Sequence, residues 1–356
     1  MHQKHLIFLF FVSILKNMNS LLNKTLRISS LFRYLTFHRI LNLTLIFISY
    51  FKSFFGFYKL KNCNPYFISI ESSNYCNIHC PECPVGIRGK PLLGRTTFDF
   101  THYKNIIDEL KKTLIHVILY FQGEPFLNKK LYEMIRYAKK CNIYTSTSTN
   151  GQFLNNNNAK EIVQSGLNKL IISIDGCTQE VYETYRVGAK LEKTIEGIKL
   201  VVVWKKKLKS LTPLVEMQFL VLKTNEHQIM DMKKLAKSLK VDRMTFKTAQ
   251  LYDFENGNNL LPTKKKYARY KLNKSGKYEI KSKLPNHCWR LWSGSVVNTN
   301  GQVLPCCFDK NSEHSYGNSI DQSFASNWHS KEATYFRTGI LLNRKQHEIC
   351  RNCTSK

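Results

Sequence analysis

From Tyr66 onward the chain alternates short runs rich in β-branched and aromatic residues with longer stretches whose apolar positions recur at helical spacing. The strand-like runs are Tyr66–Glu71, Leu114–Phe121, Ile143–Ser148, Lys169–Ile174, Leu214–Leu222 and Asp242–Thr248. Between them lie amphipathic stretches at His102–Lys112, Asn128–Lys140, Ala159–Ser165, Leu191–Lys207 and Glu226–Lys240. Repeated strand–helix units predict an α/β fold around a parallel sheet, and six of them predict a partial (β/α)6 TIM-like barrel.

The flanks read differently. Residues 1–60 form a basic, hydrophobic helical extension, with Leu22, Leu26, Ser29 and Arg33 at helical spacing. A second apolar run, Leu41–Tyr58, is broken by Asn42, Ser49, Lys52 and Ser53. Packing on the barrel or on a partner subunit is the plain expectation for this extension, and lying in the plane of an anionic bilayer is the alternative. Met1–Leu15 imitates a signal peptide, but residues 16–20 offer no small-residue cleavage site, so secretion is not expected. Met18 is an alternative start. No apolar run approaches the roughly 18 residues of a membrane span. After the barrel, assigned to residues 62–255, residues 256–283 lack helical or strand period and read as a linker. Residues 284–356 hold five of the eleven cysteines and few long apolar runs, so a small metal-supported module is expected there.

Charge changes the picture only in part. The chain of 356 residues carries 54 Lys and Arg against 25 Asp and Glu, a formal charge of +29. An anionic partner or a merely lysine-rich composition would both produce it. Before Glu71, the first acidic residue, stand six lysines and three arginines. No RNA-recognition motif accompanies the charge, which argues against nucleic acid as partner.

The cysteines carry the chemistry. Cys76, Cys80 and Cys83 form C-x3-C-x2-C directly after the first strand. Three thiolates leave one iron of a cubane open, whereas a structural zinc site takes four tight ligands. This string on the first loop of a βα barrel resembles the radical S-adenosylmethionine enzymes. The resemblance implies a [4Fe-4S] cluster on those cysteines and S-adenosylmethionine on its open iron. It further implies reductive cleavage to a 5′-deoxyadenosyl radical that abstracts hydrogen from a substrate.

Further segments fit the resemblance at successive strand ends. Gln122-Gly123-Glu124-Pro125 resembles the family's glycine-rich GGEP motif with Gln in place of the first glycine; Ser148-Thr149-Asn150-Gly151 and Ser173-Ile174-Asp175-Gly176 follow. Taken singly, Asn150-Gly151 and Asp175-Gly176 are ordinary turn dipeptides. Together they imply cofactor contacts at Gly123, Glu124, Pro125, Asn150, Ser173 and Asp175. Arg186 is a candidate for the methionyl carboxylate, or else a surface arginine.

Cys288, Cys306, Cys350 and Cys353 give C-x17-C-x43-C-x2-C, a complete set of four ligands. The string resembles SPASM or twitch-type auxiliary-cluster domains. It implies one auxiliary [4Fe-4S] cluster, Cys307 standing by, with a four-thiolate zinc site as the alternative. Val296–Pro305 reads as a hairpin turning at Asn300-Gly301. Cys63, Cys141 and Cys177 read as ordinary buried or partly buried free thiols.

The implied activity is a radical S-adenosylmethionine oxidoreductase, a peptide maturase or a dehydrogenase, with the auxiliary cluster carrying electrons. A flavodoxin- or ferredoxin-type donor is implied, and a peptide or a small molecule as substrate. Asp253 and Glu255 are candidate bases by position, and Gln218, Asn225 and Lys247 are candidate cavity residues. A silent iron–sulfur or zinc scaffold and an RNA-modifying radical enzyme are the competing readings. Reduced thiolates place the chain in the cytoplasm, with the inner membrane face as the site of any peripheral contact.

Overall fold

A computed structural model describes residues 32–58, 60, 62–89, 94 and 96–354. Six parallel strands form the sheet: β1 (Phe67–Ile70), β2 (His116–Ile118), β3 (Tyr144–Thr149), β4 (Lys169–Ser173), β5 (Leu214–Val221) and β6 (Arg243–Thr248). They pair in chain order, as right-handed strand–helix–strand units require. Every one of the six strand-like runs becomes a strand of this partial barrel. Along β4 and β5 the alternation has a physical reason. Leu170, Ile172, Val215, Met217, Phe219 and Val221 enter the main apolar core, whereas Lys169 and Glu216 form a buried ion pair at 3.0 Å on the other face.

Between residues 256 and 283, where no strand period is legible, an isolated antiparallel hairpin forms, β7 (Tyr270–Leu272) with β8 (Tyr278–Ile280). The cysteine-rich module also departs from expectation. Its strands β9 (Gly294–Val297) and β10 (Val303–Leu304) make the hairpin anticipated at 296–305, but β9 pairs in parallel with β1 and extends the barrel sheet. Gly294 permits this close approach, because a Cβ there would lie 2.1 Å from the Phe67 ring. Gly301 turns the hairpin at φ +82°.

The helix Phe37–Ser53 packs on the barrel end where the strands begin. Buried Arg39 donates from Nη1 to the Tyr34 and Asn142 carbonyls at 2.8 and 2.5 Å, and from Nη2 to those of Lys111 and Cys141 at 2.9 and 3.2 Å. Asn42 and Asn64 exchange side-chain and backbone hydrogen bonds at 2.8 and 2.9 Å. The signal-like stretch Met1–Leu15, Met18, and Leu22, Leu26 and Ser29 lie outside the described residues. Among the described residues no helix is long and apolar enough to cross a membrane.

Candidate functional site

The first cysteine string occupies the loop leaving β1, at the carboxyl end of the strands where βα barrels carry their ligands. Cys83 is the N-cap residue of the short helix Pro84–Arg88. Gly86 lets the loop fold back on itself, since a Cβ there would sit 2.3 Å from the Cys80 carbonyl oxygen. His79 N–H donates to the Val187 carbonyl at 3.0 Å, which ties the loop to the segment carrying Arg186.

The implied cofactor residues converge on this loop. Gly123 has no room for a side chain, a Cβ there lying 2.4 Å from the Ser73 and Tyr75 carbonyl oxygens. The next amide, of Glu124, donates to Tyr75 O at 2.8 Å. The Glu124 carboxylate accepts from Thr149 Oγ1 (2.8 Å), Asn150 N (2.9 Å) and Phe126 N (3.2 Å). Burial pushes its carboxyl up to about 7 against the pull of those donors. Pro125 opens the 3₁₀ turn behind it. Asn150 Nδ2 donates to Asn77 Oδ1 at 2.8 Å and approaches Cys76 Sγ at 3.6 Å.

From the fourth strand, Ser173 is buried at the strand end, and fully buried Asp175 accepts from Leu220 N at 2.6 Å. Its second oxygen pairs with Arg186 Nε at 2.6 Å, and Arg186 Nη1 stands 3.6 Å from Cys80 Sγ. Burial works against the guanidinium charge, but Asp175 and then Cys80 outweigh it and hold Arg186 well above its usual range. Arg186 is therefore directed at the thiol loop and is no surface residue. Asn225 braces the same turn, donating from Nδ2 to Asp175 O at 2.9 Å.

Two residues gain functions their sequence context does not signal. Gln122, standing where the motif has glycine, donates from Nε2 to the Lys310 carbonyl at 2.7 Å and accepts from Arg88 at 3.3 Å, latching the barrel to the cysteine-rich module. Glu82, between two cysteines, accepts from Tyr252 N at 2.9 Å and Asn258 Nδ2 at 3.4 Å. Asp253 and Glu255 lie apart from the convergent group and are exposed, Glu255 on the rim of a cleft.

Cys288, Cys306, Cys350 and Cys353 come from four places: the turn before the helix Arg290–Ser293, the loop after β10, the helix Glu348–Arg351, and the residues just beyond it. No disulfide joins any of the eleven cysteines. Burial raises the thiols of Cys288 and Cys306, and pushes Cys350 up to about 12; each also feels a neighbouring thiol of the set. Without metal such thiols stay protonated, so iron must displace the protons. Half-buried Arg290 is held above its usual range by Cys307 first, then by Cys306, Cys288 and Cys353. Arg344 Nη2 lies 3.5 Å from Cys353 Sγ. Two guanidinium groups beside a thiolate set suit an anionic cluster. Among the described residues no group of three or more His, Cys, Asp or Glu is placed to hold a single metal ion. The donor chemistry of both cysteine sets fits iron–sulfur clusters.

A parallel partial barrel with three thiols on its first loop, followed by a four-thiol module, defines the radical S-adenosylmethionine architecture. The chain matches the radical SAM superfamily over residues 70–236 and the SPASM iron–sulfur cluster-binding domain over residues 288–354. It belongs to that superfamily, binds a [4Fe-4S] cluster with S-adenosylmethionine, and carries an auxiliary iron–sulfur domain. It is 23% identical over 316 residues to a tungsten-containing aldehyde ferredoxin oxidoreductase cofactor-modifying protein of Pyrococcus furiosus, covering 81% of this chain and 87% of that protein. To a PqqA peptide cyclase of Bradyrhizobium diazoefficiens it is 24% identical, over 68% of this chain and 66% of the other. An AdoMet-dependent heme synthase of Oleidesulfovibrio alaskensis is 30% identical over 37% of this chain, and the match spans only 34% of that enzyme's length. Among solved structures, Streptococcus suis SuiB superposes with a TM-score of 0.60 at 13% identity, over 82% of this chain and 72% of SuiB, a likeness of fold.

Proposed function

We propose that this enzyme modifies a peptide by radical chemistry, and that its auxiliary cluster takes up the electron the substrate gives away. The observation that carries the reading is a cleft of about 620 Å³ along the seam between the cysteine loop, the segment after β6 and the C-terminal module. Aromatic Tyr252, Phe254 and Phe308 line it together with acidic Glu255, Glu313 and Glu348 and basic Arg88, Lys310 and Arg351. A neighbouring cavity of about 240 Å³ shares Arg88, Lys310 and Asn311 and adds amide side chains at Gln122, Asn298, Asn300 and Gln302. Two neighbouring cavities carrying amide and charged groups of both signs suit a peptide's backbone and varied side chains.

When bound, the cluster and S-adenosylmethionine supply a reductively generated 5′-deoxyadenosyl radical that abstracts hydrogen. The chain's residues do the rest. Cys76, Cys80 and Cys83 would hold the iron, Gly123 lets the thiol loop close against the turn after β2, and Asp175 holds the Arg186 guanidinium where it would meet the cofactor's carboxylate. Asn150 steadies the loop beside Cys76. Glu255 on the cleft rim takes the proton released as the substrate is oxidised. Arg290 and Arg344 would favour added negative charge on a cluster held by Cys288, Cys306, Cys350 and Cys353, and so would ease its reduction.

The test is anaerobic turnover with dithionite and candidate peptides encoded beside this gene. A peptide product lighter by two hydrogens, or crosslinked, formed with stoichiometric 5′-deoxyadenosine, supports the reading. Cofactor cleavage that no peptide stimulates, yet a small alcohol or sugar does, contradicts it.

A further inference from the structure

The helix Phe37–Ser53 is built inside out. Its buried positions are Arg39, Asn42, Ile46, Ser49 and Ser53, four of them polar. Arg39 and Asn42 hydrogen-bond to carbonyls of the barrel, Ser49 faces Cys63 Sγ at 3.9 Å, and Ser53 donates to Tyr50 O within the helix. Its solvent side is mainly apolar, interrupted by exposed Thr44 and Lys52: Phe37 is 76% exposed, Ile40 50%, Leu41 47% and Ile48 42%, and Phe55 continues the stripe at 65%. At about 100° per residue these positions fall on one face, opposite the buried set. An apolar stripe of this size on a helix already anchored by its polar side is unusual on a surface that faces only water.

The same end of the molecule concentrates positive charge. Barrel helices run antiparallel to the strands, so their carboxyl ends gather where the strands begin, beneath the Arg39 contacts with Lys111, Cys141 and Asn142. Lys111-Lys112, Lys139-Lys140 and the run Lys205-Lys206-Lys207-Leu208-Lys209 all lie in these turns, and all but Lys205 are exposed. Beyond the last run Leu211 is 93% exposed, with Leu208 at 38%. Among the described residues, the carboxylates paired here are Asp108, with Lys111 at 2.9 Å, and Asp242, with Lys205 at 2.6 Å. Arg33 and Lys52 add exposed charge at either end of the helix, and no acidic residue precedes Glu71.

We propose that this end of the barrel docks on the surface of an anionic lipid bilayer, with the outer face of the helix Phe37–Ser53 and the Leu208–Leu211 turn entering the headgroup boundary and the lysine-rich turns meeting anionic headgroups. The apolar stripe selects a bilayer over nucleic acid, which offers no hydrocarbon to receive Phe37, Ile40 and Leu41. The lysine turns select it over a second copy of this chain, whose like charges would be brought face to face. The thiol loop and the cleft open at the opposite end of the strands, so docking leaves them accessible. This inference does not depend on the peptide reading.

Co-flotation of the full-length, cluster-loaded chain with vesicles tests it. Binding is expected to vesicles of phosphatidylcholine with about 30% phosphatidylglycerol, and to be at least about tenfold weaker to pure phosphatidylcholine or in about 0.5 M salt. The exposed triple variant Phe37→Ser/Ile40→Ser/Ile48→Ser and the charge reversal Lys206→Glu/Lys207→Glu/Lys209→Glu are each expected to lower binding about tenfold or more, with iron content and melting temperature unchanged. Failure to bind the anionic vesicles overturns the proposal, as does binding that neither variant weakens. Tight binding to an RNA oligonucleotide by a chain that ignores vesicles overturns it too. So does a concentration-dependent dimer abolished by the apolar triple variant.

Discussion

Asp175 grips Arg186 at 2.6 Å from full burial, and the same guanidinium reaches the sulfur of Cys80 at 3.6 Å. One carboxylate on the turn after the fourth strand thereby aims a cation at a loop that follows the first. The pair links two strand ends, and its disruption is expected to separate cofactor binding from cluster assembly.

Asp175→Asn keeps the shape and removes the charge. Leaving a largely buried guanidinium without its counter-ion is expected to cost about 3 kcal/mol in denaturant unfolding. It should also weaken S-adenosylmethionine binding, measured by equilibrium dialysis, about tenfold or more, while the iron content of Cys76, Cys80 and Cys83 stays near that of the parent.

Gly86→Ala and Gly123→Ala introduce a Cβ 2.3 and 2.4 Å from backbone carbonyl oxygens of the thiol loop. Backbone cannot give way as a flexible side chain does. Each variant is expected to fall from about eight to about four irons per chain on anaerobic reconstitution, keeping the auxiliary four. Cys306→Ala should show the complementary loss, the signal of the first cluster surviving in electron paramagnetic resonance.

Buried Glu71 accepts from Thr299 N at 3.1 Å, and burial pushes its carboxyl up to about 7. The folded chain therefore holds a proton that the unfolded chain loses near pH 4.5, so stability falls as pH rises from about 4.5 to about 7 and then levels. The contribution is bounded by about 3 kcal/mol. Glu71→Gln is expected to flatten that part of the pH profile, read by denaturant unfolding of the apo chain at several pH values.

Arg290 stands among Cys306, Cys307 and Cys288. Arg290→Met removes positive charge from the auxiliary site, and reduction of that cluster is expected to require a lower potential in a redox titration followed by electron paramagnetic resonance. The first cluster should titrate as before.

Much of this architecture is legible because barrel strands and helices obey local periodicity. Leu170, Ile172, Val215 and Met217 announce a core face by alternation, and the thiol spacing Cys76–Cys80–Cys83 needs no tertiary context. What escapes local reading depends on partners far along the chain. That β9 joins β1 follows from Gly294 meeting Phe67, a contact across more than two hundred residues. Gln122 looks like a weakened glycine motif until Lys310 stands beside it. Arg39 interrupts an apolar helix as a surface arginine would, yet it is buried because four carbonyls at the strand-entry end await a cation. The hairpin Tyr270–Ile280 is too short, and too rich in lysine, to show a strand period. Glu255 reaches the cleft through the fold of the loop after β6, and spacing carries no information about that.

The central claim is that Cys76, Cys80 and Cys83 hold a cluster with one iron open to S-adenosylmethionine. It is tested most directly in a chain whose auxiliary cysteines, Cys288, Cys306, Cys350 and Cys353, are all replaced by alanine, or in the parent chain if that variant does not fold. Anaerobically reduced protein is expected to change its electron paramagnetic resonance spectrum when S-adenosylmethionine is added, and to release 5′-deoxyadenosine. A spectrum indifferent to the added cofactor, with no 5′-deoxyadenosine formed, would contradict the account.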